Sequence, residues 1–147
     1  MILLPILMVE DNPQDELLTL RSLRKVNLGN PVDVVRDGQE ALDYLFKEGA
    51  FAGRPGPDLP AFVLLDLGLP KLGGLEVLAR IRADARTIGL PVVVFTSSSE
   101  EEDRLASVLR GANSFVRKPV DFTQFAEKVA KLGVYWLAVN EAPSSAS

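Results

Sequence analysis

Short apolar runs alternate along the chain with longer stretches of helical spacing. Ile6–Val9, Val32–Val35 and residues 62–65, 92–95 and 114–116 read as five strands. Three of them are unbroken apolar runs without polar alternation, the pattern of parallel strands covered on both faces. Between and after them, residues 13–26, 39–48, 75–83, 100–110 and 122 onward carry the spacing of amphipathic helices. The punctuation agrees. Asn12-Pro13 supplies a cap followed by proline at the first helical position, Ser99 with Glu102 makes a capping box, and Gly49 and Gly111 stand where helices should stop. Five βα units in strict alternation imply an α/β fold, three-layered and doubly wound, with right-handed crossovers and one parallel five-stranded sheet. The loop 53–60, rich in Gly and Pro, reads as a surface connector, and the acidic run 100–103 as a solvated first helical turn.

Length and composition narrow the classes that remain. A chain of 147 residues is one domain, expected over 1–141 with an extended C-terminal helix and a disordered tail at 142–147. Apolar residues make up 47% and charged residues 24%, as in an ordinary soluble globular protein. A net charge of −4 argues against a nucleic-acid partner, because phosphate binding needs a basic face. There is no Cys and no His, which removes disulfides, thiolate catalysis, zinc-thiolate sites and the commonest general base. The apolar start, 1–9, lacks a basic segment before it and a cleavage site after it, and nine residues are too few to span a bilayer. A cytoplasmic protein with a buried first strand and no membrane association is expected.

In open parallel sheets, ligands bind beyond the carboxyl ends of the strands, where the strand order reverses. The polar residues ending each strand are therefore the candidates for chemistry. These are Glu10-Asp11 after the first strand, Asp66 after the third, Thr96-Ser97 after the fourth and Lys118-Pro119 after the fifth. With strand order 2-1-3-4-5, Asp66 lies on the central strand with Asp11 on one side and Thr96 on the other. Three carboxylates on one rim repel one another unless a pKa rises or a cation is held. Without Cys or His, that cation wants hard oxygen ligands, and Mg2+ fits best. A carboxylate facing Mg2+, a hydroxyl and an ammonium is suited to accept a phosphoryl group. Any one of these residues alone is an ordinary cap or a solvated charge; the combination at one sheet edge is what carries the reading.

The motifs V-E-D-N-P at 9–13, L-L-D-L-G-L-P-K-L-G-G at 64–74, V-F-T-S-S at 94–98 and F-V-R-K-P at 115–119 resemble those of the two-component response regulator receiver domain family, over about residues 4–137. Separations of 55, 30 and 22 residues between Asp11, Asp66, Thr96 and Lys118 also fit. The finer pattern E-D-N-P-Q-D, the long loop before the third strand and T-S-S are similar to stand-alone regulators paired with phytochrome-type, light-sensing kinases. The resemblance implies a signalling phosphoacceptor rather than an enzyme, phosphorylated on Asp66 by a sensor histidine kinase. It implies Mg2+ held by Asp11, Asp66 and the backbone carbonyl of Gly68, with Glu10 acting through water. Thr96 would turn inward on phosphorylation and Lys118 would pair with the phosphoryl group. The Lys118-Pro119 bond would be cis, and Phe115 would occupy an aromatic switch position where Tyr is common.

Rival readings fare worse. A flavodoxin-like flavin site needs a hydroxyl- and Gly-rich phosphate loop where Glu10-Asp11 stands, and a haloacid-dehalogenase-type phosphatase needs an acid at position 68, which is Gly. A receiver-like scaffold that is never phosphorylated would not need every acceptor residue present. Output is expected through partner binding, a change of dimer state or onward phosphotransfer. An apolar seam at Phe122, Phe125, Val129, Leu132, Trp136 and Val139 points to a homodimer through the fifth helix and the extension beyond it, and the resemblance implies pairing through the fourth helix, fifth strand and fifth helix. Residues 134–139 are apolar all round, and a single monomer has no second surface to cover them.

Overall fold

Val-, Ile- and Leu-rich tetrapeptides have room for side chains on two faces, and the chain uses both. A computed structural model describes residues 3–26, 29–97, 114–119 and 121–130. Its strands are β1 (Ile6–Val9), β2 (Val32–Val35), β3 (Val63–Asp66), β4 (Val92–Thr96) and β5 (Ser114–Arg117). All pair in parallel in the order β2-β1-β3-β4-β5. Helices α1 (Pro13–Lys25), α2 (Gly38–Phe46) and α3 (Gly74–Ala83) and a last helix, Phe122–Ala130, cover the sheet.

Side chains alternate across a strand, so each central strand feeds two cores. Leu7, Val9, Val63, Leu65 and Val94 pack with Leu42, Leu45, Val77 and Ile81 on the α2/α3 side. Ile6, Met8, Leu64 and Phe95 pack with Leu23 of α1 and with Phe125 and Val129 of the last helix. The apolar runs are unbroken because neither face of β1, β3 or β4 meets water. The edge strands β2 and β5 instead mix buried and exposed positions.

Local chemistry sets the helix ends. The Asn12 side chain accepts the N–H groups of Gln14 and Asp15 at 2.8 and 3.1 Å, and Pro13 follows it, so α1 starts where the sequence places it. Helix α2 differs from expectation. It ends at Phe46, with Lys47 in the left-handed region (φ 53°) closing the last turn onto Asp43 and Tyr44. Gly49, read as the stop, opens a separate 3-10 turn, Gly49–Phe51. The loop 53–60 is a connector as expected, but a tethered one. Arg54 donates to the carbonyls of Tyr44, Pro57 and Asp58 and lies over the Tyr44 ring at 4.0 Å. The expected helix 100–110, its cap at Ser99 and Glu102, the stop at Gly111, and everything from 131 onward lie outside the described residues. Among the described residues, no helix is long and apolar enough to cross a membrane.

Candidate functional site

Five parallel strands in register bring their carboxyl ends to one edge, and the polar residues collect there. Glu10 and Asp11 leave β1, Asp66 ends β3, Thr96 ends β4, and Lys118 follows β5. One carboxylate oxygen from each of Glu10, Asp11 and Asp66 lies within 4.8 Å of the other two. Asp66 is 3% exposed and Glu10 2% exposed, while Asp11 faces solvent. The N–H of Gly68 donates to Asp66 Oδ1 at 3.0 Å, fixing the carboxylate at the start of the following loop. Close by, Gly74 packs so tightly that a β-carbon there would stand 2.4 Å from the Asp66 carbonyl oxygen.

Lys118 supplies the counter-charge. Its Nζ lies 2.9 Å from Asp15 Oδ2, 3.2 Å from Glu10 Oε1 and 3.2 Å from Asp66 Oδ2. Its backbone N–H donates to the Thr96 carbonyl at 2.7 Å, and the Lys118–Pro119 bond is cis. Thr96 is fully buried at the end of β4.

The electrostatics follow from burial. Desolvation pushes the Glu10 carboxyl up to about 7, and repulsion from Asp66 adds to it, with Lys118 opposing. Burial works against the Lys118 ammonium, but the hydrogen bond to Asp15 and the charges of Asp66 and Glu10 prevail and hold it above the ordinary lysine range. Three carboxylates (Glu10, Asp15, Asp66) face this ammonium, and a fourth, Asp11, stands beside Glu10 and Asp66. The surplus is negative, every donor is a hard oxygen, and three of the oxygens converge. These residues fit Mg2+.

Of the residues singled out in the sequence, the structure brings together Glu10, Asp11, Asp66, Gly68, Thr96 and Lys118. Phe115 lies elsewhere. It points outward from β5, 38% exposed, with the Lys128 ammonium 5.6 Å from its ring centroid. Phe122 is 37% exposed beneath Lys25, and Trp136 lies outside the described residues. Sequence reasoning missed Asp15 as a partner of Lys118. The signal was present, since Asp15 closes the stretch E-D-N-P-Q-D in the first turn of a helix that starts at the same sheet edge. It also missed Arg36, whose only signal is its place directly after β2.

A doubly wound sheet whose carboxyl edge carries an acidic pair, a central aspartate, a threonine and a lysine defines a receiver domain of two-component signalling. Residues 6–130 match the response regulator receiver domain family, and the chain belongs to it. It is 53% identical to the bacteriophytochrome response regulator AtBRR, whose structure superposes with a TM-score of 0.82 over 95% of this chain and 99% of that one. For the bacteriophytochrome response regulator RtBRR the figures are 49% and 0.84, over 97% and 85%. Response regulator Rcp1 from Synechocystis sp. is 33% identical over 140 residues, covering 95% of this chain and 93% of its own length. The structure of its Mn(2+)-bound form superposes with a TM-score of 0.73, at 32% identity over 96% of this chain and 99% of that one.

Proposed function

We propose that the chain is a stand-alone response regulator that accepts a phosphoryl group on Asp66 from a sensor histidine kinase of the phytochrome type. The observation that carries this is the buried Asp66 carboxylate, held between the acidic pair and the Lys118 ammonium at 3.2 Å. In the transfer, an Asp66 carboxylate oxygen attacks phosphorus, the O–P bond forms, the N–P bond of the donor phosphohistidine breaks, and the neutral imidazole leaves with that bonding pair, its other ring nitrogen already carrying the proton. Lys118 neutralises charge on the phosphoryl oxygens and Thr96 donates a hydrogen bond to one of them. Asp11, Asp66 and the Gly68 carbonyl would hold Mg2+, with Glu10 behind them, and the ion would supply further charge neutralisation. Asp11 is the exposed member of the pair and Glu10 the buried one, which favours Asp11 as the direct ligand. Phe115, outward here, would report the phosphorylated state by changing its packing.

The phytochrome-type partner is supported by identities near 50% to two bacteriophytochrome response regulators, and Mg2+ by the Mn(2+)-bound form of Rcp1. The reading places the protein in the cytoplasm, as a phosphoacceptor and not a turnover enzyme. Incubation with a small-molecule phosphodonor and Mg2+ should add one phosphoryl mass, labile to hydroxylamine. Asp66→Asn and excess chelator should each abolish it; survival of the added mass in either would refute the assignment. Transfer from a phytochrome-type kinase should outpace transfer from unrelated histidine kinases, and equal rates would remove the partner assignment while leaving Asp66 in place.

A further inference from the structure

Arg36 follows the edge strand β2 and is joined to three elements at once. Its backbone N–H donates to Glu40 Oε1 at 2.6 Å, and the Glu40 N–H is held by Asp37 Oδ1 at 2.8 Å, so the residue is anchored to the first turn of α2. Its guanidinium pairs closely with Glu16 of α1. The same Nη1 donates to the carbonyl oxygen of Glu10 at 3.3 Å. That oxygen belongs to the peptide linking Glu10 to Asp11.

We propose that Arg36 is a positioning residue for the acidic pair, which fixes the peptide between Glu10 and Asp11 and thereby sets the affinity of the site for a divalent cation. A peptide unit is planar and stiff, so its orientation places the Cα atoms on both sides. On one side of Glu10, its N–H already donates to the Val35 carbonyl at 3.0 Å. Arg36 grips the other side. With both backbone groups of Glu10 tied to β2 and its continuation, the two carboxylates leave the chain from fixed origins, as a preorganised ligand set requires. An exposed Arg–Glu pair by itself contributes little. The third contact, to a backbone carbonyl inside the acidic pair, is what gives this one a role beyond stability. The inference rests on reading Glu10, Asp11 and Asp66 as the cation site.

Charge and geometry make opposite predictions here, which separates them. As a mere positive charge near the site, Arg36 opposes a cation, and its neutralisation would tighten binding. As a positioning residue, its loss weakens binding. Calorimetric titration of the intact chain with Mg2+ alone decides between them. Arg36→Lys keeps the charge and loses the planar fork, and should bind Mg2+ about tenfold more weakly, at the low end for residues that orient ligands. Arg36→Gln should also bind more weakly despite the lost repulsion. Unchanged affinity in Arg36→Lys with tighter binding in Arg36→Gln would overturn the proposal. So would a loss of binding matched by an equal loss of folded structure in chelator, since that is a stability effect alone. Asp11→Asn is run beside them. If it loses Mg2+ while the Arg36 variants keep it, the positioning role fails and the cation site stands; if it too binds as before, the cation site itself is refuted.

Discussion

Glu10 and Asp11 are neighbours in the chain and occupy opposite environments, one buried beside Lys118 and Asp66, the other in water. That difference has a consequence for stability. The folded chain holds the Glu10 proton up to about 7, against an ordinary value of 4.5. Between those values the native state binds more protons than the unfolded state, so stability falls as pH rises. The protonated contribution is complete below the lower value and gone above the upper one, a span of about 3 kcal/mol at most. Denaturant unfolding in chelator, across that interval, should show this slope in the wild type and lose it in Glu10→Gln; identical slopes would contradict the burial argument. The sequence displays both acids at the right strand end. It does not display which is buried, because that depends on Lys118, 108 residues away.

At the scale of elements, the loop after Asp66 is clamped against α2. A β-carbon on Gly38 would lie 2.0 Å from the Leu72 carbonyl oxygen and 2.8 Å from the Leu72 β-carbon. Lys71, with φ 62°, reaches Asp37 at 3.4 Å across the same contact. Gly38→Ala must therefore shift either the helix or the loop that follows the acceptor. A loss of about 1–3 kcal/mol is expected, the range for overpacking, together with slower phosphoryl acceptance by Asp66. A urea melt and the phosphodonor assay check both, and wild-type values in both would show that the contact is soft. Among the described residues, element existence and order were legible from apolar runs and caps. The close approach was not, since a glycine beginning a helix reads the same whether a carbonyl or water lies beside it. The end of α2 was misplaced for a similar reason: Lys47 takes the left-handed turn usually left to glycine, so the expected signal at Gly49 came two residues late.

For the whole molecule, the surface that matters is the seam that begins at Phe122. Phe125 and Val129 are buried against the sheet, so this part of the stripe serves the monomer. Phe115 and Phe122 remain exposed, the first beside Lys128 and the second beside Lys25, and the apolar residues 134–139 follow in sequence. We propose that these form a homodimer contact. Sedimentation of the intact chain should show a concentration-dependent dimer, and a version ending at Leu132 a monomer. Trp136→Ala should weaken association by about 2 kcal/mol or more, as for a central aromatic anchor; a monomer at all concentrations, with and without a phosphoryl mimic, would exclude it. The sequence alone determined the parallel sheet, the strand count and the set of acidic, hydroxyl and lysine residues at one edge. Those follow from short unbroken apolar runs, from the 3.6-residue spacing of the helices and from caps, which near neighbours control. Tertiary structure decided which carboxylate is buried, that Asp15 shares Lys118 across 103 residues, and that Arg36 reaches back 26 residues to the acidic pair. Those depend on strand order and helix placement, which bring distant side chains within hydrogen-bonding range and which no local pattern encodes.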